Sequence, residues 1–233
     1  MNFFNKKINY NIKKFKFDKL LEELFKTELN NVHNILEKEQ ELFTNVGMDT
    51  HSKIHKMFYD KMRSGWSEFI DLYNEFIKEV VLPYLNLNEA LYQTWPTFRV
   101  QLPNNVAVVI KHYDSDEIHK HPKGEINFIL AMTEMNDTST IWYETEPRLE
   151  DFRPMNLQPN TLFCFNGNKC DHYNKINKTG KSRISFDFRI LPIENIPKKI
   201  DKSATTNTKF SEGFYYSRIK INNKIKPYNA KDI

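Results

Sequence analysis

VAVVIKHYDSDEIHKHPKGEINFIL, residues Val106 to Leu130, sets two apolar runs around a polar insert that carries three histidines. The first run, Val106 to Ile110, is mostly β-branched and delivers His112, Tyr113 and Asp114; His119 and His121 follow before the second run, Ile126 to Leu130. Successive side chains on an extended chain point to opposite faces, so His112 and Asp114 share a face at the end of a strand. Two ligands of one metal ion need that arrangement, with a third ligand brought from elsewhere in the fold.

The same texture extends outward. Thr97 to Leu102, Val106 to Ile110, Ile126 to Met132, Thr138 to Glu144, Thr161 to Phe165 and Arg183 to Ile190 are short segments rich in β-branched and aromatic residues. The turn-forming stretches Pro103-Asn104-Asn105, Asn136-Asp137 and Lys178-Thr179-Gly180 separate them. Short strands punctuated in this way, with no helices between them, predict an antiparallel sandwich or barrel. Before them the period is helical. Apolar residues recur at helical spacing from Phe17 to Phe43, with Asp18 as N-cap. A second helix is expected after Gly47, capped by Asp49 or Thr50, with Ile54, Met57, Phe58 and Met62 on one face. Gly65 breaks it, and a third helical segment runs from Trp66 to Pro83. These stripes read as packing faces. The tail from Ile193 is rich in Lys and Asn and reads as weakly structured apart from Phe214-Tyr215-Tyr216. The expected organisation is one structural domain: a helical part over 1–85, a β core over 86–197 and a basic tail over 198–233.

With 233 residues, 18 Phe, 11 Tyr and only 6 Gly, the chain can bury a substantial core. The net charge of +4 comes from lysines spread along the chain rather than from a basic stripe, so a solvated surface is expected and not a nucleic-acid partner. Two cysteines, Cys164 and Cys170, give neither a CxxC pair nor a disulfide framework, and read as reduced intracellular thiols. Charges interrupt the apolar residues of the first 17 positions, unlike a signal peptide, and no apolar run approaches the roughly 18 residues of a membrane span. A cytoplasmic protein acting on a small molecule, with no membrane partner, is the expectation. Oligomeric state is left open.

A mononuclear iron(II) site in an oxygenase needs two imidazoles and one carboxylate, leaving coordination positions for a cosubstrate and O2. His112 and Asp114 supply one imidazole and the carboxylate, and His172 is the one histidine after His121. If the cosubstrate is 2-oxoglutarate, its distal carboxylate needs a cation, and a guanidinium suits a two-oxygen pair. Arg183 lies eleven residues beyond His172, room for a turn and a returning strand on which Ser185 and Asp187 share its face. A competing site overlaps the first. His119-Lys-His121-Pro-Lys-Gly-Glu125 has the H-x-H-x-x-x-E spacing of the first cupin metal motif. Its companion P-x-G-x-x-H is not matched, because Asn160 follows Pro159 and His172 lies thirteen residues beyond Pro159. That alternative is a non-oxidative cupin-like sugar isomerase or carbohydrate-binding protein using His119, His121 and Glu125.

Several blocks together resemble one family: YQTWPTFRVQLP at Tyr92, HYD at His112, HPKGEINF at His121, TIWYETEP at Thr140, NGNKCDHYNKINKTGKSRISFDFRILP at Asn166 and EGFYY near Tyr215. They resemble the 2-oxoglutarate and iron(II)-dependent oxygenases like the streptomycin-biosynthesis hydroxylase, which include members in carbohydrate biosynthesis clusters. The resemblance spans about Phe76 to Tyr216. It implies a double-stranded β-helix (jelly roll, cupin-like) flanked by helices, with His112, Asp114 and His172 as iron ligands and Arg183 as the 2-oxoglutarate anchor. Asn127 is then expected to contact cosubstrate or substrate. Glu144 and Trp142 are candidates for the substrate side, with a structural role the simpler reading for Trp142. Arg99 is a candidate for a substrate phosphate or carboxylate, and Arg189 is the fallback cosubstrate anchor. The segment Ser115 to Lys120 is long enough to give a distinct loop beside the iron.

Overall fold

The structure, a computed structural model, describes residues 3–36, 52–107, 111–199, 202–203 and 207–221. In chain order its strands are β1 (Lys6–Ile8), β2 (Glu89–Gln93), β3 (Thr97–Gln101), β4 (Ile126–Ala131), β5 (Ile141–Tyr143), β6 (Arg153–Pro154), β7 (Thr161–Phe165), β8 (His172–Asn174), β9 (Arg183–Pro192) and β10 (Tyr216–Lys220). Its α-helices are α1 (Phe17–Phe25), α2 (Lys53–Arg63), α3 (Ser67–Phe76) and α4 (Leu82–Leu85). All strand pairs are antiparallel, and the fold is mainly antiparallel sheet with a few helices. The larger sheet has the order β1-β7-β4-β9-β2-β10, with β3 also on β9; the smaller has the order β6-β5-β8.

Strand β9 divides the molecule. It pairs with β4 on one edge and with both β3 and β2 on the other, and every residue in it is buried. Alternation sends Ile184, Phe186, Phe188 and Ile190 into one apolar core with the helices, and leaves Arg183, Ser185, Asp187 and Arg189 on the opposite face. Neighbouring strands keep the same division. Phe98 and Val100 of β3, Phe128 and Leu130 of β4, and Leu162 and Cys164 of β7 join the helix-side core. Ile129 of β4 and Phe163 and Phe165 of β7 pack with Ile141 and Tyr143 of the small sheet on the other side. The helix-side core is largely aromatic. Phe186 lies within 5.3–6.3 Å, ring to ring, of Phe17, Phe58, Phe69 and Phe98, and Phe58 stacks on Phe98 at 4.5 Å.

Local chemistry moves several boundaries from their expected places. The first helix ends at Phe25 because Lys26 turns left-handed, and Leu29–Ile35 continues as a 3-10 helix and not as α-helix; the rest of the expected segment, 37–43, lies outside the described residues. Asp18 lies inside α1 and does not cap it. Gly47, Asp49 and Thr50 lie outside the described residues; the cap of α2 is Ser52, whose hydroxyl accepts the His55 amide at 3.1 Å. Gly65 ends the following turn with φ +82°, as expected. The third segment does not stop at Pro83. Its backbone widens into a π-helix over Ile77–Val81, which accommodates a residue with no N–H, and α4 then runs to Leu85 before left-handed Asn86. Val106 and Ala107 are not in a strand, and 108–110 lie outside the described residues. The tail departs most from expectation, since β10 pairs along the whole of β2 with Tyr216 fully buried at its start.

Replacing Phe186 by Ala removes the ring that joins three helices to β3 and is expected to cost about 3–5 kcal/mol. Urea unfolding followed by far-UV circular dichroism measures it, and a loss under about 1 kcal/mol contradicts this packing.

Candidate metal centre

His112 reaches the small sheet through a backbone bridge. Its amide donates to the His172 carbonyl at 3.3 Å, and the His172 amide donates back to the His112 carbonyl at 2.9 Å. His172 itself opens β8, paired with Tyr143 of β5. The two imidazoles therefore face each other with ring centres 4.6 Å apart. Asp114, two residues on, is turned inward because its amide donates to the Gly167 carbonyl at 2.9 Å. Gly167 permits that approach: a Cβ there would meet the Phe165 ring at 2.7 Å and Asn127 Cγ at 3.1 Å.

The outcome is a three-residue group. His112 Nε2 and His172 Nε2 stand 3.9 and 3.8 Å from Asp114 Oδ1, and one ligand atom from each residue lies within 4.8 Å of the others. His172 Nδ1 is 3.1 Å from the Cys170 carbonyl. With the proton on Nδ1 the ring donates there and turns the Nε2 lone pair toward Asp114. Two imidazole nitrogens and one carboxylate oxygen form a donor set that suits non-heme iron(II).

Behind this group lies a line of buried charge. Asp114 Oδ2 accepts from Asn127 Nδ2 at 2.6 Å and from Arg189 Nε at 3.0 Å. Arg189 Nη1 also donates to Asp187 at 2.5 Å and to Gln93 Oε1 at 3.3 Å, and Arg99 Nε donates to the other Asp187 oxygen at 2.7 Å. Burial by itself would raise the Asp114 pKa, but the charges of Arg189, His121, His172 and His112 outweigh it and hold the carboxyl well below the usual range. Asp187 follows the same logic. Burial opposes its charge, Arg99 and Arg189 favour it, and the balance lowers it to about 2.

This group opens on a cleft of about 520 Å³, part of it open to solvent, between the two sheets. Arg99, Asn127, Arg183, Asp187 and Arg189 line it from the larger sheet, and His172, Tyr173 and Asn174 from the smaller. Arg183 is 1% exposed and donates to the Ser139 carbonyl, Ser185 Oγ and Gln101 Oε1 at 3.2, 2.9 and 3.3 Å. His112, His172, Asn127, Arg183 and Arg99 thus line one space, with Asp114 grouped with the two histidines at its edge.

Other expected site residues are placed differently. Arg189 is engaged by Asp114 and Asp187, so its guanidinium does not stand ready as a second cosubstrate anchor. Glu144 is 2% exposed and does not line the cleft; its carboxylate accepts the amides of Asp171 at 2.8 Å, Glu150 at 2.9 Å and Arg148 at 3.3 Å, which fixes the loop leading to His172. Trp142 carries the Lys175 ammonium 3.3 Å from its ring centre. His119, His121 and Glu125 do not converge on one point. His119 pairs with Asp116 at 2.8 Å and stacks on the His112 ring at 4.3 Å, within the loop expected beside the centre. His121 Nδ1 pairs with Glu125 at 2.9 Å, and the Tyr216 hydroxyl donates to the other Glu125 oxygen. Asp114, His121 and Glu125 are close enough to form a second group, but both Glu125 oxygens already have partners. Cys170 is buried, which pushes its thiol up to about 12 and removes it as a nucleophile near neutral pH. Sequence reading missed Gln93, Gly167 and the Cys170 carbonyl, whose roles arise only from tertiary neighbours.

The Asp187 cluster makes a pH prediction. A carboxylate lowered from 3.8 to about 2 on folding contributes stability above the unfolded value that is lost as pH falls through the folded one. Unfolding free energies of the wild type and of Asp187→Asn are therefore expected to differ most near neutrality and to converge as the pH drops toward about 2. A gap that stays constant over the acid range contradicts this.

No family model matches the chain. It is 29% identical over 172 residues to the streptomycin biosynthesis protein StrG of Streptomyces griseus, an alignment covering 73% of this chain and 78% of that protein. Among solved structures, a nickel complex of the non-heme monooxygenase ThoJ aligns with 95% of this chain and 82% of its own length, at 9% identity and a TM-score of 0.45. AviO1 from Streptomyces viridochromogenes Tue57 aligns with 82% of this chain and 89% of its own, at 10% identity and a TM-score of 0.45. Structural likenesses of that order carry no argument about chemistry. The likeness in sequence agrees with the resemblance read from the motifs: over most of its length this chain is similar to a streptomycin-biosynthesis protein.

Proposed function

We propose that this protein is an iron(II)- and 2-oxoglutarate-dependent oxygenase that hydroxylates a small molecule, with a carbohydrate or sugar nucleotide as the class to try first. The observation that carries the proposal is the convergence of His112, Asp114 and His172 beside a cleft that His112, His172 and the buried Arg183 line. The relative named for streptomycin biosynthesis supports a small-molecule substrate. The two antiparallel sheets facing each other across the cleft support a double-stranded β-helix core over 86–197 within one structural domain.

In the proposed roles His112, Asp114 and His172 hold the metal from one side. When bound, iron(II) with 2-oxoglutarate and O2 supplies the oxidising power to hydroxylate an unactivated carbon, with succinate and CO2 as coproducts. Arg183, which lines the cleft, holds the distal carboxylate of 2-oxoglutarate through its planar two-pronged guanidinium. Asn127 and Arg99, on strands flanking β9, present polar groups to the space beside it. The apolar walls Ile129, Ile141 and Phe165 limit water there.

Aerobic incubation with iron(II), 2-oxoglutarate and a panel of sugars and sugar nucleotides, followed by mass spectrometry, is expected to show succinate formed in step with a product 16 mass units heavier. His172→Ala is expected to abolish turnover while remaining folded, and a folded variant with wild-type turnover sinks the assignment. Arg183→Lys is expected to raise KM for 2-oxoglutarate at least about 10-fold, because a point charge replaces a two-pronged donor. An unchanged KM would place the anchor elsewhere.

A further inference from the structure

Asp114 presents its two carboxylate oxygens to different surroundings. Oδ1 faces the imidazoles of His112 and His172 at 3.9 and 3.8 Å. Oδ2 takes Asn127 Nδ2 at 2.6 Å and Arg189 Nε and Nη2, each at 3.0 Å. A carboxylate oxygen offers about two lone-pair directions, so three donors saturate Oδ2 and leave Oδ1 as the oxygen available to a cation. The donors are themselves fixed. Asn127 and Arg189 are directly opposed in the β4–β9 register, and Arg189 is braced by Asp187 and Gln93. Gln93 in turn accepts the Tyr215 hydroxyl at 2.9 Å, which ties the brace to the segment leading into β10.

We infer that Arg189 and Asn127 are positioning residues that make Asp114 a one-oxygen ligand and keep the carboxylate from swinging to chelate through both oxygens. The inference rests on the metal centre proposed above. A carboxylate bound through both oxygens would occupy a coordination position that an open site keeps for cosubstrate or O2. Neither Arg189 nor Asn127 touches the metal; each acts through Asp114.

Cobalt(II) is the probe, added anaerobically to the full chain without cosubstrate. Its affinity is read by calorimetry and its coordination by the visible d–d spectrum, with circular dichroism and thermal unfolding as checks on folding. The wild type is expected to bind one cobalt(II) per chain and His172→Ala to lose it. Asn127→Ala and Arg189→Lys are expected to fold, to bind cobalt(II) ~10- to 100-fold more weakly and to show a changed d–d band intensity. Should Arg189→Lys fail to fold, Asn127→Ala decides, because it leaves the Arg189 pair in place. Folded variants with wild-type affinity and spectrum, beside a His172→Ala that loses the ion, overturn the inference while the metal centre stands. Weaker binding with an unchanged spectrum overturns it as well, since the mode of the carboxylate would then be unaltered. A wild type that binds no cobalt(II) overturns the metal centre and this inference together.

Discussion

A carboxylate as deeply buried as that of Asp114 keeps its charge only if other charges and donors replace the water it has lost. Here Arg189 and Asn127 do so on one oxygen and the two imidazoles face the other. Most of the surrounding structure follows from that requirement. Arg189 needs Asp187 and Gln93, Asp187 needs Arg99, and the chain of alternating charges runs along one face of β9 and across to β3. Arg189 serves both Asp114 and Asp187, and Asp187 serves both Arg189 and Arg99, so removing an inner member disturbs two neighbours and the line behaves as a unit rather than as separate ion pairs.

The strand that carries this line also explains how the charges are tolerated. Alternation places an aromatic and aliphatic set on the opposite face of β9, where it joins the helices in the main core. The helix-side packing supplies the stability, and the cleft-side face is left free to hold polar groups that would weaken a core. The ends of the chain close the larger sheet from both sides. Lys6–Ile8 lies on β7, and Tyr216–Lys220 lies on β2 with Tyr216 reaching Glu125. The lysine-rich tail is thus partly an edge strand, in keeping with the charged residues that edges carry: Arg218 pairs with Glu89 and Glu212 on its exposed side.

Sequence made the central strands legible because Arg183 to Ile190 alternates polar with apolar residues and because Ile126 to Met132 and Thr161 to Phe165 are short runs rich in β-branched and aromatic residues; strands lie at all three. The trio of His112, Asp114 and His172 was legible from residue type and order, and the structure brings it together. What composition hides is anything decided by a distant partner. Strands β1 and β10 read as lysine-rich flanks because their stability comes from pairing with β7 and β2. Glu144 was a candidate for the substrate side through the family resemblance alone; the fold shows that three backbone amides donate to its carboxylate. Arg189 and Arg183 share a strand face, and spacing alone cannot tell which meets Asp114. Likewise the H-x-H-x-x-x-E spacing is real, but the left-handed turn at Lys120 and the Asp116 pair direct His119 to His112 and away from Glu125.

The division of the histidines is the central claim, and a metal position tests it most directly. Crystals soaked anaerobically with manganese(II) and 2-oxoglutarate would place the ion by anomalous scattering. The account predicts one peak bounded by His112 Nε2, His172 Nε2 and a single oxygen of Asp114, with the distal carboxylate of 2-oxoglutarate on Arg183. A peak held by His121 and Glu125, or 2-oxoglutarate bound away from Arg183, would contradict it.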